Sequence, residues 1–178
     1  KKVGLDLEWA IINSTGASGA SATAREMRGF AYWATANTGS TATVAATALG
    51  SSTGEAAVND VLQSLYDDGS PANTIMASSV NKRRIDIWTA NGATRYVQTE
   101  NKTLTSTINV YYSTFGPVEL MLHTMVASDV VYAVDLDEFR ISYLRKPKSY
   151  PLAKVGDSHR FQVLTEATLE VRNPLAIG

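Results

Sequence analysis

From residue 135 onward, apolar and polar positions alternate in two runs separated by a turn rich in Pro and Lys. In the second run Phe161, Val163, Ala167, Leu169 and Val171 take odd positions. Arg160, Gln162, Glu166, Thr168, Glu170 and Arg172 take even ones, with Leu164 the main exception. A period of two marks a strand with one buried and one wet face. The first run sets Phe139, Ile141 and Tyr143 against Arg140 and Ser142. Together they predict an antiparallel hairpin whose second arm outruns the usual strand of roughly 5–6 residues.

Upstream the period changes. Residues 2–13 carry Val3, Leu7, Ala10 and Ile11 on one helical stripe and Leu5, Trp9 and Ile12 on a second. No Ser, Thr, Asp or Asn caps this helix, and two lysines stand where the macrodipole favours acids. The expectation is a helix cut through its middle, in a chain that is a piece of a longer one. Residues 14–24 are only Ser, Thr, Gly and Ala, which predicts a flexible surface connection. Met27, Phe30 and Trp33, at a spacing of three, predict a short helix within 25–34. A second low-complexity stretch, 34–54, is the expected boundary between two parts of the fold.

Ser52-Thr-Gly-Glu55 has capping-box spacing and opens a helix with Val58, Val61, Leu62 and Leu65 on one face, stopped by Gly69 and Pro71. Residues 74–77 predict a strand. Ser78 or Ser79 then caps a helix running to Trp88, with Val80, Ile85 and Trp88 inward. Residues 89–107 are polar, contain Asn91-Gly92 and predict a long loop. Ile108, Val110 and Tyr112 alternate before the turn Phe115-Gly-Pro117, and Val118 to Leu122 completes a hairpin. Residues 130–134 form a continuous apolar strand, expected to be buried on both faces. The order of elements gives an α+β class.

Composition narrows the function more than the fold. With 178 residues, the chain makes one domain or two small ones. Sixteen basic and seventeen acidic residues leave a net charge of −1, so no global field draws it to nucleic acid or membrane. It has no cysteine, hence no thiolate nucleophile or zinc-thiolate site. No apolar run approaches the ~18 residues of a membrane span. His123 and His159 each stand alone, which reads as structural. Asp135-x-Asp137-Glu138 could hold a divalent cation but reads better as a strand exit whose Asp binds local backbone. Lys82-Arg83-Arg84 and Arg145-Lys146-Pro147-Lys148 read as solvated clusters, with a neighbour's acids or nucleic-acid phosphates as the sharper alternative. No nucleophile–base pair, cofactor loop or metal set assembles.

Tyr143-Leu144-Arg145, Pro151-Leu152-Ala153-Lys154, Gly156-Asp157, and Glu166-x-Thr168-Leu169-Glu170-Val171 with Asn173 resemble the C-terminal signature of the tailed-phage major capsid proteins of Hong Kong 97-like fold. Asp6-Leu-Glu-Trp-Ala-Ile-Ile12 looks like the latter part of that family's spine helix. Leu62-Gln63-x-Leu65 and 78–85 resemble its axial-domain helices, and Asn109-Val-Tyr with Phe115-Gly116 the strand and turn that follow. The family's N-terminal arm and extended loop have no counterpart here.

The resemblance implies an axial domain (37–135) and a peripheral domain made of 1–36 and 136–178, the latter the long hairpin. It implies a non-enzymatic subunit without cofactor or metal. Its partner would be itself, in hexamers and pentamers of an icosahedral head, with non-specific contact to packaged DNA and no membrane or small-molecule substrate. The head would assemble in the cytoplasm of a bacterial host. Expected subunit-interface residues are Arg145, Lys146, Lys148, Lys154, Asp157, Leu169 and Val171 on the hairpin, and Asn91, Arg95 and Tyr96 on a loop towards the capsomer axis. An encapsulin-type shell around protein cargo stays open as an alternative, and a hydrolase with a dispersed Ser/His/Asp site is a more distant one. Length sharpens the expectation. A fourteen-residue arm spans roughly 46 Å at ~3.3 Å per residue, and a twelve-residue helix only about 18 Å. One cannot cover the other, and Leu169 and Val171 are the positions where Asp should impair particles more than folding.

Overall fold

The computed structural model describes residues 2–88, 109–153 and 156–178. Its middle layer is a four-stranded sheet of β4 (Val110–Ser113), β5 (Gly116–Leu122), β3 (Thr74–Ala77) and β6 (Val131–Val134), in that order. β3 runs parallel to β5 and antiparallel to β6. Its side chains therefore alternate between two cores. Ile75 and Ala77 enter one, with Leu62 and Leu65 of α3 (Ser52–Asp67) and Ile85 of α4 (Ser79–Asp86). Met76 enters the other, with Ile12 of α1 (Lys2–Asn13) and Phe30 and Ala34 of α2 (Phe30–Ala36). Phe139 of β7 (Phe139–Pro151) and Leu169 of β8 (Phe161–Val171) pack onto this second core.

The C-terminus closes the sheet. Ala133 and Gly178 exchange backbone hydrogen bonds, each 2.9 Å, and Asp135 donates to the Ala176 carbonyl. The Asn37 amide holds this strap by donating to the Ile177 carbonyl at 3.0 Å. The low-complexity stretch after residue 34 is thus fastened down: Asn37 and Ser40 are both buried, and the Ser40 and Ser64 hydroxyls meet at 2.9 Å.

Several elements differ from expectation for identifiable reasons. Residues 14–24 are not a free connection. β1 (Thr15–Ala17) pairs with β2 (Glu26–Arg28), and Ala20 bridges Thr23 at the turn. Met27 is consequently in a strand, and α2 starts only at Phe30. Ser51, not Ser52, is the N-cap of α3, and no side chain caps it, because the Ser51 hydroxyl donates to the Ala48 carbonyl. Glu55 instead accepts from the Tyr111 hydroxyl at 3.1 Å. On α4, Val80 is exposed while Asn81 and Lys82 are buried, Lys82 paired with Asp86 at 2.7 Å. The basic cluster there is therefore not a uniformly solvated face. β4 alternates as expected but with the opposite phase: Tyr111 packs on Trp88, and Tyr112 is 81% exposed. Strand 74–77, the Ser78 cap and the α3 terminus agree with the sequence reading. At that terminus Gly69 takes φ 83°, and Ser70 and Gly69 donate to the Leu65 and Tyr66 carbonyls. This is a Schellman stop.

Asn73 joins the parts. Its amide donates to Asp135 at 2.7 Å, and its side-chain oxygen accepts from Thr74 Oγ1 and the Leu136 N–H. Asn73→Ala should lower the urea midpoint by the equivalent of about 1–3 kcal/mol at unchanged m-value. An unaltered midpoint would contradict this role. Burial, and secondarily the Glu55 charge against the Asn59 hydrogen bond, raises the Tyr111 phenol. Burial and then Asp129 raise that of Tyr132. Both phenols hold their protons more tightly folded than unfolded, so their contribution is complete below the ordinary value of 10.0 and lost as pH rises through the raised ones. Melting temperature should fall above that pH, and less steeply in Tyr111→Phe.

Candidate assembly interface

β7 and β8 form a two-stranded hairpin of 13 and 11 residues, paired from Phe139↔Val171 to Pro151↔Phe161. Its register shifts twice, between Tyr143 and Arg145 and between Arg145 and Lys148. At each step β7 spends one residue more than β8, as in a β-bulge, which bends a strand and sharpens its twist. Leu144, at the first shift, is 84% exposed.

The two ends of the hairpin live in different environments. At the base, the Phe139 ring meets Phe30 edge-on at 5.1 Å, and Leu169 packs on the same core. Arg172 N–H donates to the Glu138 carbonyl at 3.0 Å. Beyond the bulges no core follows among the described residues, and Phe161 is 66% and Val163 53% exposed, with Tyr150 and Leu152 also exposed. Because side chains alternate, Phe161 and Val163 share the face of Ala167, Leu169 and Val171. The apolar stripe legible in the sequence is one continuous face, covered among the described residues only at its base. Fully burying such a side chain from water is worth about 1.5–3 kcal/mol, of which the part still exposed, 66% at Phe161 and 53% at Val163, is left for a neighbour to cover.

The expected interface residues divide accordingly. Arg145 Nε reaches Glu166 Oε2 at 3.4 Å across the bulge, Lys148 lies 5.5 Å from the Tyr150 ring, and Lys146 and Asp157 are exposed. Leu169 and Val171 are half-buried at the base, and Leu169 belongs to the chain's own core. Asn91, Arg95, Tyr96 and Lys154 lie outside the described residues. Phe161 and Val163, absent from that set, are the more exposed positions of the stripe. The pairing register would have shown that the stripe runs past the core.

Neither histidine meets a nucleophile in the described contacts. His123 Nε2 lies 2.9 Å from Glu8, and its Nδ1 accepts from the Met125 N–H at 3.2 Å. With Asn13 donating to the Met125 carbonyl at 2.9 Å, this pins α1 to the turn after β5. Asp135 accepts from the Asp137 N–H, the local turn its spacing suggested. A cleft of about 660 Å³ opens between 38–49, α3 and β6. Asp129 and Tyr132 are its titratable side chains, and the raised Tyr132 phenol stays protonated at neutral pH. Small Ala and Thr side chains make up much of the rest.

A family model described as SU10 major capsid protein matches residues 1–178. No curated protein matches the chain.

Phe161→Ser and Val163→Ser should leave the unfolding midpoint within about 0.5 kcal/mol of the parent while weakening self-association in sedimentation velocity. Leu169→Ser, which opens the core beneath the hairpin, should cost about 2–5 kcal/mol. Equal loss of stability in all three would show that the stripe is covered along its whole length.

Proposed function

The chain belongs to the SU10 major capsid protein family, and from that premise we propose that it is the repeating subunit of an icosahedral phage head with a Hong Kong 97-like fold. It is a structural capsid protein of a virion, and its work is done by binding area and geometry. In this reading residues 37–135 form the axial domain, with 1–36 and 136–178 the peripheral domain. Subunits close into hexamers and pentamers in the cytoplasm of a bacterial host, around DNA held without sequence preference. The observation that carries the proposal is the family match over the full 178 residues. The hairpin supports it: a face of apolar side chains running beyond the local core is a surface built to be covered by another molecule. Asn91, Arg95 and Tyr96 are proposed to meet at the capsomer axis.

Electron microscopy of a bacterial host expressing the gene tests this. Closed shells with this chain around both five-fold and six-fold axes are expected, while esterase, phosphatase and peptidase assays stay at background. Monomers at every concentration, or a hydrolytic activity abolished by His123→Ala or His159→Ala, would overturn it.

A further inference from the structure

Resting on the capsid reading, we infer that the outer half of the hairpin docks on the acidic end of α3 (Asp60, Asp67 and Asp68) of a second copy, so that neighbours are joined head to tail by charge. Residues 139–172 hold seven basic and three acidic side chains, whereas residues 37–138 hold five basic and eleven acidic. A chain of net charge −1 thus carries two opposite surpluses along its sequence. The hairpin's own acids are largely used within it: Glu166 pairs with Arg145, and Glu170 accepts from Ser142. Among the described residues, Lys146, Lys148 and Arg160 are exposed and have no carboxylate within ion-pair distance.

The body offers the counterpart. Asp60, Gln63 and Asp67 are exposed at i, i+3 and i+7 on α3, with Asp68 following. Asp67 and Asp68 stand at a helix C-terminus, where the macrodipole favours cations, and the last turn holds no basic residue. Tyr66 is exposed beside them. A cation from outside would relieve that arrangement. The hairpin can deliver one together with the apolar surface of Phe161 and Val163. That interleaving of cations with large apolar side chains suits a protein face better than a phosphate backbone. Different patches on the two partners make the contact heterologous, the kind that closes into rings.

The test uses particles made from the whole gene. Lys146→Glu, Lys148→Glu and Arg160→Glu together should cut particle yield about ten-fold, equivalent to ~1.4 kcal/mol, without moving the subunit's melting temperature. Adding Asp60→Lys, Asp67→Lys and Asp68→Lys to the same chain should restore the yield. In parent particles assembled from mixed isotopic labels, a zero-length carbodiimide should join Lys146 or Lys148 of one copy to Asp60, Asp67 or Asp68 of another. Undiminished yield in the triple reversal overturns this inference and leaves the capsid reading intact. Lost yield without rescue, with less nucleic acid retained, assigns the arm to phosphate instead. Failure of the parent to form particles removes the capsid reading itself.

Discussion

β3 has no free side. Thr74, Ile75, Met76 and Ala77 are all buried, and the strand is paired with β5 along one edge and β6 along the other. Its faces serve different cores, so every other layer is placed relative to these four residues: α3 and α4 against Ile75 and Ala77, α1, α2 and the hairpin base against Met76. Asn73, one residue earlier, carries the constraint out of the sheet. Its backbone donates to Val134 and accepts from Glu119, while its side chain grips Asp135 at the entrance to the hairpin. The hairpin is therefore anchored at the wall between the cores.

An anchored base and an uncovered tip follow from one mismatch of lengths. The second core ends where Phe139 and Leu169 meet Phe30, yet the strands continue to Pro151 and Phe161. Bulges at Leu144 and before Lys148 bend the strand and change its twist where the supporting layer ends. For an isolated domain such a face is a liability. For a subunit of a shell it is area held in reserve for neighbours, which accords with the chain's family.

Periodicity made much of this legible. Strand 74–77, α1, the glycine stop of α3 and the long hairpin all declare themselves through local pattern, because each is set by neighbours within a turn or a pleat. What stayed hidden depends on residues distant in sequence. The pairing of 14–24 with β2 gives a Ser/Gly/Ala run an order its composition does not announce. Tyr111 faces inward because Trp88 and Glu55 wait there, which alternation alone cannot say. Of the interface, the stripe was readable, but which end the core covers was not. The Asn37 and Asn73 fasteners carry no motif, and the resemblance to capsid proteins rather than any reaction centre gave the function.

The central claim is that the outer hairpin is covered only in the assembled shell. Hydroxyl-radical footprinting of the dissociated subunit and of intact particles, read by mass spectrometry at Phe161 and Tyr150 with buried Ile75 as internal reference, measures this directly. The account predicts that Phe161 and Tyr150 are reactive in the subunit and protected in the particle, with Ile75 protected in both. Equal reactivity of Phe161 in the two states would contradict it.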